Sequence, residues 1–130
     1  MSYTIELPWT APPLSMNDRG VSTGAAFAKA KKIRTIRDQV AVLAATAGLP
    51  RAVGHATVTL HYRPRDDRRR DTDNLTATAK PIYDGLVDYG LVADDVPQHM
   101  AKAEPVIHRK GRPGLWLEIT THPEPKELPA

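Results

Sequence analysis

The chain has 130 residues, enough for one domain with a modest core; 41% of them are apolar and only 5% aromatic. The formal charge is +3 and there is no cysteine, which excludes disulfide frameworks, thiolate metal sites and cysteine nucleophiles. So few aromatics argue against a binder working mainly by base stacking. No stretch approaches the roughly 18 apolar residues needed to cross a bilayer. The N-terminus lacks the charged and apolar regions of a signal peptide. A cytoplasmic protein without a membrane partner or small-molecule cofactor is the expectation. Charge is unevenly spread, with cationic runs at Lys29 to Arg37 and Arg63 to Arg70, a pattern that suits a phosphate-bearing partner.

Tyr3 to Leu7 alternate apolar and polar and stop at Pro8, predicting a short first strand. A Pro-rich loop follows to about Gly24, with Asn17, Asp18 and Arg19 as its polar centre. A long helix is expected from Ala25 to Ala47, capped by Thr23 or Ser22 and stopped at Gly48-Leu49-Pro50. Ile33, Ile36, Val40, Leu43 and Ala47 form its apolar stripe. Lys31, Lys32 and Arg34 lie mostly off that stripe, where a solvated face is the plain reading and a DNA contact the functional one.

His55 to Tyr62 is the clearest strand, with Ala56, Val58, Leu60 and Tyr62 on one face and His55, Thr57, Thr59 and His61 on the other. The two histidines stand about 20 Å apart along it, too far to share one metal. His99 to His108 and Gly114 to Thr121 read as two further strands, joined as a hairpin through Arg109 to Pro113. The stretch 122–130, rich in Pro and Glu, is expected to be a disordered tail beyond a single domain over 1–121. The predicted architecture is α+β, a small mixed sheet with two main helices packed on one side.

Between these elements lies the most informative stretch. Arg68, Arg69 and Arg70 run into Asp71-Thr72-Asp73-Asn74, a helical segment carries Lys80 and Asp84, and Gly90 is followed by Asp94-Asp95. In an extended segment Asp71 and Asp73 project to one face, and paired carboxylates repel unless a proton or cation lies between them. Mg²⁺, with Mn²⁺ as a substitute, suits such an open all-oxygen site. The arginines would offset the carboxylates and hold flanking phosphates. Asp73 or Asn74 also qualifies as N-cap for a helix starting near Leu75, whose core stripe is Leu75, Ala79, Ile82 and Leu86. Lys80 and Asp84 are spaced for an ordinary i,i+4 pair, and Pro81 is expected to kink the helix.

Asp71-Thr72-Asp73-Asn74-Leu75, then Lys80, Asp84-Gly85-Leu86 and Gly90-Leu91-Val92-Ala93-Asp94-Asp95, together resemble the signature of RusA-type Holliday-junction resolvases. Leu7-Pro8 and the run from Pro12 to Asn17 resemble the opening of that family. The resemblance implies a homodimeric α+β nuclease, often encoded by phages or prophages, that uses Mg²⁺ to place paired, symmetric nicks across a four-way DNA junction. It also implies metal ligation by Asp71, Asp73 and Asp95, with Asp94 the alternative to Asp95, and a catalytic role for Lys80. The interval from Asp73 to Lys80 is longer than the family pattern by about one helical turn, a shift that keeps the side chain on the same helix face. Arg68, Arg69, Arg70, Lys31, Lys32 and Arg34 are the expected DNA contacts. A flap- or fork-directed Mg²⁺ nuclease and a non-catalytic DNA-binding protein remain the alternatives.

Overall fold

The computed structural model describes residues 1–14 and 23–130. Asn17, Asp18, Arg19 and the candidate cap Ser22 lie outside the described residues. Chain order is β1 (Ser2–Glu6), α1 (Thr23–Thr46), β2 (His55–Arg63), a 3₁₀ turn (Thr72–Leu75), α2 (Thr76–Tyr89), β3 (Met100–Lys102), β4 (Val106–Ile107) and β5 (Gly114–His122). The sheet is mixed. β2 is paired antiparallel with β5 from His55 opposite His122 to Arg63 opposite Gly114. β1 adds to the far side of β5, and β3 and β4 run parallel to β2 along its other edge. This is a small α+β fold.

The alternation read along β2 sets the sheet's two faces. Ala56, Val58 and Leu60 are fully buried, with Leu117 and Ile119 of β5 and Ile5 of β1 on the same side. The apolar positions of both helices join that one cluster. Removing a side chain the size of Ile82 or Leu86 from water contributes about 1.5–3 kcal/mol. Thr57, Thr59 and His61, on the opposite face, are half-buried.

The predicted hairpin is not formed. β4 and β5 flank β2 on opposite edges, so the loop 109–113 carries the chain across the end of β2. The expected strand from His99 to His108 is also divided. Thr57 and Val58 face Ala101 and Lys102, whereas His61 and Tyr62 face Val106 and Ile107. Ala103, Glu104 and Pro105 therefore stand against only Thr59 and Leu60. This is a bulge in the edge strand, at a proline with no amide to donate.

The stripe of α1 is narrower than expected. Ile36, Val40 and Ala44 are buried, while Ala47 is exposed beyond the end of the helix. Gly48, at φ +68°, closes α1, with the Leu49 amide donating to the Ala44 carbonyl (3.1 Å). Gly90, at φ +99°, closes α2 in the same way through the Leu91 amide and the Leu86 carbonyl (3.1 Å). α2 continues through Pro81, which is buried inside it. The helices meet at Gly85, where an added Cβ would lie 2.8 Å from the Arg37 carbonyl and 2.9 Å from Val40 Cβ. Beside this contact Arg37 clamps Asp88 through two bonds of 2.8 and 2.9 Å. Of the residues expected to form the tail, His122 belongs to β5 and the Lys126 amide donates to the Gln98 carbonyl (2.9 Å).

Candidate functional site

The acidic turn leads into α2. Asp71, extended at φ −117° and ψ 141°, accepts a hydrogen bond from the Asp73 amide (3.2 Å) and caps the 3₁₀ turn. The cap thus falls on Asp71 and not on Asp73 or Asn74, because the 3₁₀ turn begins the helical segment ahead of Leu75. The carboxylates of Asp71 and Asp73 are both exposed. Between them Thr72 Oγ1 donates to Glu104 Oε1 (3.1 Å). The bulge in the edge strand places Glu104 there, two residues beyond Lys102.

One turn into α2, Lys80 Nζ donates to Asp84 Oδ1 at 3.0 Å and to Asp95 Oδ2 at 2.9 Å. The predicted i,i+4 pair forms and a second carboxylate joins it. Lys102 Nζ reaches the same Asp95 oxygen at 3.1 Å and lies 5.4 Å from the centre of the Tyr83 ring. Buried Leu91 and Val92 anchor the chain after α2, so that Asp95 returns alongside the helix. Lys80, and next Lys102, hold the Asp95 carboxyl down at about 2. Asp95, and next Asp84, raise Lys80 above the usual lysine range. Asp94 is exposed and accepts the Asp95 amide at 2.8 Å. Of the two neighbours, Asp95 is the one that faces Lys80.

Carboxylates offer only oxygen, the donor type a hard divalent cation takes, and Asp71 and Asp73 present theirs to solvent. Lys80 Nζ already holds a positive charge between Asp84 and Asp95. Among the described residues, no three such side chains converge as a ready-made metal group. Thr72, between Asp71 and Asp73, meets Glu104, which is two residues along the chain from Lys102.

The arginine triplet is divided in use. Arg70 turns back, its guanidinium donating to Asp66 Oδ1 (2.7 Å) and to the carbonyls of Asp66 and Arg68 (2.9 Å each). Arg68 also pairs with Asp66 (3.2 Å) but stays exposed, and Arg69 is exposed. Arg70, and next the Arg68 amide, hold Asp66 at about 2. Arg70 is an anchor for this connection as much as a cationic surface. On α1, Lys31 and Lys32 are exposed and Arg34 pairs with Asp38 at 3.3 Å. None of these three contacts the acidic cluster.

Sequence reasoning missed Lys102 and Glu104, since neither lies in a motif and both depend on the parallel register of β3 and the bulge beyond it. It also missed a cluster on the open sheet face. His61 Nδ1 and His108 Nε2 share a hydrogen bond of 2.9 Å, and the His61 ring lies parallel to Trp116 at 5.2 Å. Burial and the neighbouring His61 push the His108 imidazole below its usual range. His55 stands apart at the other end of β2 beside His122, so the two strand histidines have separate surroundings. No helix among the described residues is long and apolar enough to cross a membrane. No family model matches the chain, and no curated protein matches it at a significant level.

Proposed function

We propose that the protein is a divalent-metal-dependent endodeoxyribonuclease of the RusA-like kind, acting as a homodimer that resolves four-way DNA junctions by paired nicks in the cytoplasm. The observation that supports it best is the Lys80–Asp95 contact at 2.9 Å. The resemblance assigns these two residues to one site although 15 positions separate them. On this reading Asp71, Asp73 and Asp95 would hold Mg²⁺, or Mn²⁺ in its place. When bound, the ion supplies a Lewis acid and lowers the pKa of its water.

The chain's own groups do the rest. Lys80 and Lys102 keep Asp95 ionised at any ordinary pH, since both ammonium groups stabilise the carboxylate. The Lys80 side chain is 60% exposed, so a phosphate can approach its ammonium group, which would leave Asp84 or Asp95 to stabilise charge developing there. Arg68 and Arg69 offer contacts to the DNA backbone, which orient the duplex arms without reading sequence. Asp71 has two duties, as cap of the turn and as metal ligand.

The test is cleavage of a synthetic four-way junction, a fork and a linear duplex, with Mg²⁺ or with EDTA. Metal-dependent paired nicks confined to the junction are expected. Tight junction binding without cleavage at any metal concentration would overturn the reading in favour of a non-catalytic DNA-binding protein.

A further inference from the structure

Three surface cavities open in sequence away from Asp71 and share their walls. The first, about 280 Å³, is lined by Asp71, Asn74, Tyr62 and Arg70 among others. Tyr62 and Arg70 also line the second, about 490 Å³, together with Arg65 and Arg68. Thr10 and Pro113 connect that one to the third, about 330 Å³, walled by Arg63, Arg112, Trp9 and Trp116. Ligand sites begin at about 300 Å³; two of these cavities exceed that and the first comes close to it, so the row suits a chain of small groups.

The walls have a consistent chemistry. Arg63, Arg65, Arg68, Arg70 and Arg112 stand against Glu6, Asp66 and Asp71, five cations to three carboxylates. At the far end the Arg63 guanidinium lies 5.0 Å from the centre of the Trp116 ring. Its Nε is fixed by the Arg112 carbonyl at 2.9 Å. His61, parallel to Trp116 within 3°, and His108, 4.8 Å from it, hold the indole in one orientation. Trp9 and Trp116 share the walls of this end with two guanidinium groups, a chemistry that lets an unpaired base pack against an indole while its phosphates are neutralised.

We infer that these cavities form one groove for an unpaired DNA strand, which leaves the acidic turn at Asp71, passes the arginines and stacks a base at Trp9 and Trp116. The inference deepens the proposed function, on which only its starting point at Asp71 rests. Duplex DNA keeps its bases paired and stacked inside, so it cannot use the indole end. Junctions or forks with unpaired nucleotides near the cut would then be the preferred substrates.

Trp9 and Trp116 are the only two tryptophans in the chain, so intrinsic fluorescence reports on this one end of the groove. In EDTA, titration with oligothymidylate should quench it saturably, and blunt duplex should not. Trp116→Ala should weaken binding about tenfold. Arg112→Ala leaves the backbone carbonyl that holds Arg63 in place. It should keep the wild-type circular dichroism while lowering the log–log salt slope by about 0.7. Absence of quenching, equal quenching by duplex, or tighter binding of oligouridylate than of oligothymidylate would overturn the groove. Metal-dependent junction cleavage without any quenching would overturn it and leave the nuclease reading standing. Quenching with no cleavage of any substrate would do the reverse.

Discussion

Replacing Asp95 with Asn removes the shared partner of Lys80 and Lys102 without changing side-chain size. The carboxyl sits at about 2 against an ordinary 3.8, with Lys80 the largest cause and Lys102 the next. A value lowered on folding stabilises the protein fully above about pH 4, and the contribution disappears as pH falls through about 2. A shift of nearly two units corresponds to at most about 2.5 kcal/mol. The Lys80 side chain is 60% exposed and that of Asp95 21%, so solvent screening brings the expected contribution to about 1 kcal/mol. Asp95→Asn should therefore unfold more easily in urea by about 1 kcal/mol near neutral pH, with the gap closing toward about pH 2. Urea titrations of both proteins, followed by circular dichroism across that range, measure it. A gap of the same size at every pH would refute the electrostatic reasoning, because lost packing does not titrate.

Asp71→Ala should cost about 1 kcal/mol of stability by removing the cap on the Asp73 amide, whereas Asp71→Asn should keep the cap and lose the proposed metal ligand; urea midpoints beside cleavage rates separate the cap from the proposed ligand role. Gly85→Ala should destabilise by about 1–3 kcal/mol, since its Cβ would press on the Arg37 carbonyl and on Val40, and a lowered thermal midpoint reads that. Thr78 is fully buried, and its hydroxyl bonds both the Leu14 amide (3.1 Å) and the Leu14 carbonyl (2.8 Å). Thr78→Val should leave both backbone groups unsatisfied at about 1–3 kcal/mol each, with faster amide exchange at Leu14 as the local readout.

Local patterns carried most of the fold. The period-two alternation of Ala56, Val58 and Leu60 identified the central strand, and Gly48 and Gly90 marked both helix ends, because burial and left-handed backbone leave their mark within a few residues. The hairpin failed for the opposite reason. Strands adjacent in sequence usually pair, and nothing in 99–121 signals that β2 lies between β4 and β5. The cap moved to Asp71 because a 3₁₀ turn ahead of a helix shifts its start without altering the apolar stripe. In the site, Lys80 with Asp84 was legible as i,i+4 spacing. Lys102 on Asp95, Glu104 on Thr72, and His61 beside His108 and Trp116 are contacts made through the sheet, and no spacing along the chain encodes them.

The central claim is that Asp71, Asp73 and Asp95 hold a metal ion that acts on branched DNA. Asp73 is exposed and is not the cap, so Asp73→Asn should fold as the wild type does. The decisive measurement is the Mg²⁺-dependent cleavage and the binding of a four-way junction by wild type and Asp73→Asn side by side. Paired nicks by the wild type are expected, with none from a variant that binds the junction equally or more tightly. Cleavage by Asp73→Asn at the wild-type rate would contradict the account.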